Sequence, residues 1–417
     1  MVAEDRYILK RKIQAFGNTV LFMLCRIMPI QRNKIAVCTF EGKGGFGCNP
    51  KYIVEELHRR SSVYRFVWFV NDCEKEFPNY IRKVKNTAWN RIWHLATSKI
   101  WIDNYRKPYG TVKRKGQYYI QTWHATIGFK SIGLWRKDAF SKMAYLVSKN
   151  DSDMIDYVVT DSEWCDEMYP KGLVYNGEFL RVGAPRCDVL YGEREKERKK
   201  IRKTYGLAET DKIVMYAPTF RETQRNGKRS VASGELSIDF GRVLEAMENR
   251  FGGNWILFIR LHPQIAEKMK LDFNARIMRR IFDVSMEDDM SQLLAGVDAY
   301  ITDYSSAAMD ASFAGIPVFI YADDIGQYAD DRGSMLWNFT NDSYVEVRNN
   351  KEITPGIKAI LPYSIAQNNE ELEQNIRNFQ ENAYGEKVKQ FMESVNLVFD
   401  GRASQRIADI IEQCITK

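Results

Sequence analysis

Histidine, the side chain best suited to moving a proton near neutral pH, occurs only four times in the 417 residues. Cysteine occurs seven times, an odd number, and no two stand in CxxC spacing. That excludes a disulfide framework and a zinc ribbon and points to a reducing compartment. With 26 Gly and 11 Pro the chain has too few of either for a fibrous or low-complexity protein. The start, Met1-Val-Ala-Glu-Asp5, lacks the basic region of a secretory signal. The longest apolar run, residues 13–30, is broken by Gln14, Asn18, Thr19 and Arg26 and is marginal for a membrane span of about 20 residues. Carboxylate pairs such as Asp288-Asp289, Asp323-Asp324 and Asp330-Asp331 have no supporting histidines and no DxD spacing, which makes them poor metal sites.

Charge, by contrast, is abundant and unevenly divided. Residues 1–150 hold 28 Lys and Arg against 10 Asp and Glu, a net +18; residues 151–417 hold 33 against 44, a net −11. The apolar fraction of 45% and charged fraction of 28% are those of a globular chain, and the length suits two or three domains. Lys10, Arg11 and Lys12 precede the apolar run and Arg32 and Lys34 follow it. Such a segment suits a helix lying in the interface of an anionic membrane, or equally a helix packed on the protein's own core.

From Lys34 onward short apolar runs alternate with helical patterns. Lys34–Phe40, Tyr64–Val70, Ile100–Asp103, Tyr118–Thr122, Tyr157–Thr160 and Phe179–Val182 read as one set of strands. Residues 191–210 begin with dense alternating charge and read as a linker. A second set follows: Lys212–Ala217, Trp255–Leu261, Ala299–Thr302 and Val318–Tyr321. The expected fold is α/β, two doubly wound Rossmann-like domains at 34–190 and 211–385 facing a central cleft. Residues 1–33 form a membrane-associating segment and 386–417 C-terminal helices.

Ligands of such sheets bind beyond the carboxyl ends of strands, so the residues just after strands are the candidates. His124 and His262 each follow a strand directly, whereas His58 and His94 sit in helices and read as surface and packing residues. His124 and His262 are therefore the candidate catalytic pair. Ser305 and Ser306 start the helix after Ala299–Thr302, a ready anion site, and Asp310 lies one turn in, placed for a sugar hydroxyl. Pro218, Thr219 and Arg221 follow the strand Lys212–Ala217. Arg186 lies at the domain junction, Arg332 follows a strand and a short loop, and Arg260 joins the group only if its strand has ended by that point. Together these arginines suit a diphosphate. Gly42-Lys-Gly-Gly-Phe-Gly47 matches GxGxxG, with Asp72 in the place of a ribose-binding acid. The better phosphate signals lie in the other half, so the glycines read as a tight turn.

The segments CNPKYIVEEL (48–57), QTWHATIGFKSIG (121–133), VGAPRCDVL (182–190), MYAPTFRE (215–222), FIRLHP (258–263), ITDYSSAAMDASFAGIPVFIY (301–321) and DRG (331–333) occur in that order. As a set they resemble the CDP-glycerol glycerophosphotransferase family of teichoic-acid primases and polymerases. The resemblance implies a GT-B-like architecture, a CDP-alditol donor held mainly by the second domain, and no metal or other cofactor. It also implies peripheral, monotopic attachment to the cytoplasmic face of a bacterial membrane. It makes His124 the general base and places Ala125, Thr126, Ile127 and Gly128 near the diphosphate. Arg186, Pro218, Thr219, Arg260, Leu261, His262, Ser305, Ser306, Asp310 and Arg332 become donor-binding positions. Where the family often reads WHGTPLK this chain has WHATIGFK, and it also departs from the family after Arg332-Gly333. Both departures bear on the acceptor and the alditol.

The implied reaction is transfer of glycerol phosphate, or a related alditol phosphate, to a prenyl-diphosphate-linked or polymer acceptor with release of CMP. The rivals are a nucleotide-sugar glycosyltransferase of the same architecture and a non-enzymatic protein whose basic half binds membrane or nucleic acid. The paired strand-end histidines argue against a nucleic-acid partner.

Overall fold

The computed structural model describes residues 3–219, 222–225, 228–231, 236–261, 279–332, 335–337, 344–348 and 353–416. Those residues form two compact units. One comprises Met1–Thr126, Ser131–Asp188 and Leu397–Lys417; the other comprises Ile127–Lys130 and Val189–Asn396. These bounds differ from the contiguous blocks expected from sequence. The last helix, Ala403–Thr416, belongs to the first unit, and so does the N-terminal helix.

The first unit is built on seven strands: β1 (Gln31–Cys38), β2 (Arg65–Val70), β3 (Ile81–Lys85), β4 (Ser98–Asp103), β5 (Tyr118–Gln121), β6 (Tyr157–Thr160) and β7 (Glu178–Arg181). They form one sheet in the order β3-β2-β1-β4-β5-β6-β7, parallel throughout. Parallel sheets are covered on both faces, and the side chains of β1 show how. Ile35 and Val37 point into a core shared with Ile53, Val54 and Leu57 of α2 (Cys48–Arg60) and with Ile407 and Ile411 of the last helix. Ala36 and Cys38 point the other way, into a core with Ile92 and Leu95 and with Phe22 and Cys25. The helix α1 (Ala3–Cys25) supplies Phe22 and Cys25, and α3 (Ala88–Thr97) supplies Ile92 and Leu95. The period of two along the strand is what directs alternate residues to opposite layers.

α1 packs on the core along one face and leaves apolar side chains exposed on the rest. Ala15, Phe22 and Cys25 are buried on one face. Ile13, Phe16, Val20, Leu24 and Ile27 are exposed, Phe16 by 71% and Ile27 by 86%. Among the described residues no helix is long and apolar enough to cross a membrane.

In the second unit β8 (Lys212–Tyr216) is followed by an antiparallel pair, β9 (Glu222–Arg225) and β10 (Lys228–Val231). Next come β11 (Trp255–Ile259), β12 (Ile281–Asp283), β13 (Ala299–Thr302) and β14 (Val318–Tyr321). A second antiparallel pair, β15 (Tyr344–Arg348) and β16 (Ile353–Ile360), precedes β17 (Ser364–Ala366). The main sheet is parallel and ordered β12-β11-β8-β13-β14-β17. Counted within the sheet this is the doubly wound order 3-2-1-4-5-6. The first sheet has the same order with one strand more.

Candidate functional site

In a sheet of this order the loops leaving the first and fourth strands part in opposite directions, and the crevice between them is where ligands bind. In the first unit those strands are β1 and β4. One residue beyond β4, Asn104 accepts the backbone N–H of Phe40, two residues beyond β1, at 2.8 Å through its side-chain oxygen. The main-chain carbonyl of Asn104 meets His124 Nδ1 at 2.8 Å. A carbonyl only accepts, so the neutral ring carries its proton on Nδ1, and Nε2 is the basic nitrogen.

His124 reaches this position through a constrained backbone. Trp123 holds φ +49°, a left-handed conformation that costs a non-glycine residue about 1 kcal/mol or more. Its N–H donates to Gln121 Oε1 at 2.9 Å, and its carbonyl accepts from Asn49 Nδ2 at 3.1 Å. The ring of His124 then lies among Trp123, Tyr105 and Phe40, with centroids 4.3, 5.6 and 5.3 Å away. Behind it, Gln121 Nε2 donates to the Tyr119 hydroxyl, which donates to Asp151. Lys107 pairs with Asp103 and donates its backbone N–H to Asp151 at 2.9 Å. Burial pushes the Asp151 carboxyl up to about 7 and raises that of Asp103 as well.

The residues after His124 divide between the units. Ala125 and Thr126 belong to the first, where the Tyr169 hydroxyl donates to the Ala125 carbonyl, with the Thr126 carbonyl 3.3 Å from the same oxygen. Arg186, 4% exposed, reaches Thr126 Oγ1 at 3.2 Å, and its N–H donates to Asn49 Oδ1 at 3.0 Å. Ile127 and Gly128 belong to the second unit, where Gly128 O accepts from Trp337 Nε1 at 2.9 Å. The glycine-rich loop is a tight turn. Gly42 has φ +82°, and a Cβ there would lie 2.6 Å from Asn86 and 2.8 Å from Asn71.

The second unit repeats the device. Its corresponding strands are β8 and β13, and one residue beyond β13 stands Asp303. The Asp303 carboxylate accepts the Thr219 N–H at 2.9 and 3.0 Å and the Thr219 hydroxyl at 3.1 Å. Thr302 Oγ1 donates to Ala217 O at 2.6 Å. The two loops are thus tied together, and Pro218, Thr219, Ser305 and Ser306 are all half-buried. The capping hydroxyl is that of Ser305, which accepts Ala307 N–H at 3.3 Å; Ser306 makes no side-chain cap bond. The helix that follows, Ala307–Phe313, has seven residues, and Asp310 on it is buried at 4% exposure. β11 ends at Ile259, so Arg260 is released from the strand's alternation, the condition for joining the group. Its guanidinium donates to Glu287 O at 2.8 Å. Leu261 is buried, its N–H on Ser285 Oγ. Arg332 ends the helix Ile325–Arg332, but its side chain, all of Arg221 and His262 lie outside the described residues.

Sequence reasoning passed over Asn49, Asn104, Tyr169 and Asp303. Asn104 and Asp303 each carried a faint signal, a short polar side chain directly after an apolar strand.

A family model described as CDP-Glycerol:Poly(glycerophosphate) glycerophosphotransferase matches residues 20–413. A teichoic acid poly(glycerol phosphate) polymerase of Bacillus spizizenii is 27% identical over 339 residues, 77% of this chain and 82% of the relative. A teichoic acid glycerol-phosphate primase of Bacillus subtilis is 26% identical over 415 residues, 96% of this chain and 97% of the relative. The chain spans about half the length of further polymerases of the first kind, 50% and 46% in two cases. Among solved structures, the wall teichoic acid polymerase TagF matches with a TM-score of 0.78 at 24% identity, covering 98% of both chains. The two parallel sheets therefore make a GT-B-like fold.

Proposed function

The chain belongs to the CDP-glycerol:poly(glycerophosphate) glycerophosphotransferase family, and from that premise we propose that it transfers glycerol phosphate from CDP-glycerol to a hydroxyl of a lipid-linked or polymer acceptor. CMP is the leaving group, and the product is a teichoic-acid-like polymer of the bacterial surface. The observation that carries the chemistry is the bond from His124 Nδ1 to Asn104 O. It leaves Nε2 to take the proton of the acceptor hydroxyl. The acceptor oxygen forms a bond to the β-phosphorus as the bond from that phosphorus to the CMP oxygen breaks.

Charge on the diphosphate falls to the second unit's loops. Thr219 and Ser305 stand at the carboxyl ends of neighbouring strands, and Asp303 holds Thr219 in place. Arg260 supplies a guanidinium at the end of β11, and His262, Arg332, Ser306 and Asp310 complete the donor set as the resemblance implies. Arg186 acts in the first unit, through Thr126. The exposed apolar face of α1 and its basic residues suit peripheral attachment to an anionic membrane, where a lipid-linked acceptor resides.

Donor choice is tested by thermal shift with CDP-glycerol, CDP-ribitol and UDP-sugars. A ligand at 100 times its Kd adds about 2.7 kcal/mol of stability. CDP-glycerol is expected to stabilise most. Stabilisation by a UDP-sugar with none by either CDP-alditol sinks the reading in favour of a glycosyltransferase.

A further inference from the structure

The edge of the first sheet opposite His124 holds a second candidate site. There the amino ends of β1, β2 and β3 border a cavity of about 440 Å³. Register places Lys34 beside Arg65 on adjacent strands, and Arg82 beside Val67 on the next pair. All three cations line the cavity with Tyr80, Trp93 and His94, and no carboxylate lines it. Among the described residues none of the three has an ion-pair partner; Lys34 Nζ donates to Thr97 Oγ1 at 2.6 Å. His94 is 6% exposed, and its Nδ1 has no hydrogen-bond partner among the described residues.

Three converging cations without a counter-charge repel one another, and the effect is visible on the buried groups. Burial, then Arg82 and Arg65, push the Lys34 ammonium down to about 8. Burial, then Lys34 and Arg82, push His94 down to about 4. An anion in the cavity relieves this repulsion, and arginine forks match phosphate oxygens.

We propose that this cavity binds a phosphate ester, with the phosphate held by Lys34, Arg65 and Arg82 and the organic part against Tyr80 and Trp93. Two sources carry that chemistry, a soluble phosphate ester and a phospholipid headgroup. The surroundings favour the headgroup. Gln31, which also lines the cavity, follows the exposed Ile27 by four residues, and Trp93 stacks on Trp89, itself 58% exposed. The site lies away from His124 and does not depend on the transferase reading.

The test is calorimetric titration of the full chain with inorganic phosphate and with dihexanoyl phosphatidic acid below its micelle concentration. Arg65→Ala/Arg82→Ala serves as the variant, since both side chains are exposed and their removal leaves the core intact. Binding of either probe to the wild type, weakened roughly tenfold or more in the variant with CMP release unchanged, supports the proposal. Tighter binding of the lipid assigns the headgroup, and tighter binding of phosphate the soluble ester. Failure of both probes to bind, or equal binding by the variant, overturns it.

Discussion

A single main-chain carbonyl decides which nitrogen of His124 is basic, and a single carboxylate, Asp303, holds the loop that follows β8. Both are ties between loops that leave different strands, and the second, made by a side chain, can be cut one bond at a time. Thr219→Val removes one hydroxyl donor but keeps the two N–H contacts. At about 1 kcal/mol for such a bond, the KM for CDP-glycerol rises roughly fivefold with little change in kcat. Asp303→Ala cuts all the contacts to Thr219, and kcat/KM falls by about two orders of magnitude; steady-state CMP release measures both. Asp151, behind Gln121 and Tyr119, gives a pH signature. Its folded carboxyl sits at about 7, against about 4 for an exposed aspartate, so the folded state holds the proton more tightly. That contribution to stability is full below pH 4 and is lost as pH rises through 7. Asp151→Asn keeps an acceptor for Tyr119 and Lys107 without the charge. The Tm of the variant minus that of the wild type therefore grows from pH 5 to pH 8, as thermal unfolding across that range records.

At the scale of elements, α1 is held to the first sheet by more than apolar contact. Thr19 Oγ1 donates to Gly110 O at 3.2 Å, and Gly110, at φ +86°, passes so close that a Cβ would lie 2.5 Å from Ala15 O. Gly110→Ala is expected to push α1 off its seat and cost about 1–3 kcal/mol, seen as a lowered Tm and faster proteolysis within α1. The strands show what sequence alone conveys. Ala299–Thr302, Val318–Tyr321 and Tyr157–Thr160 have the bounds their apolar runs predict, because central strands are buried on both faces. β3, β12 and β17 were not legible, and all three are sheet edges. β3 reads IRKVK, three charges in five residues, and the other two have three residues each, too short for a period. The site follows the same rule. His124, Thr219 and Ser305 were legible as strand-end residues. Asn104 and Asp303 were not, because their partners stand 64 and 84 residues away, and only the strand order brings them together.

The division between a basic first part and an acidic remainder gains its meaning at the scale of the molecule. The loops proposed to bind the CDP-alditol lie in the acidic remainder, where on that proposal a few local hydrogen-bond donors serve the diphosphate. The basic part carries α1, whose exposed apolar face is flanked by Arg6, Lys10 and Lys12. Each such cation near an anionic surface contributes about 1 kcal/mol. Reversing the three to glutamate is expected to abolish sedimentation with vesicles containing phosphatidylglycerol while leaving CDP-glycerol affinity within about twofold, since the donor loops are untouched. The role of His124 as base of a CDP-glycerol-dependent transfer is open to one decisive measurement, CMP release with a lipid-linked teichoic-acid primer, comparing the wild type with His124→Ala. Turnover by the wild type is expected, with a loss of about 10²–10⁴-fold in the variant and CDP-glycerol binding retained. Near-normal CMP release by His124→Ala, or none by the wild type with lipid-linked and polymer acceptors alike, contradicts it.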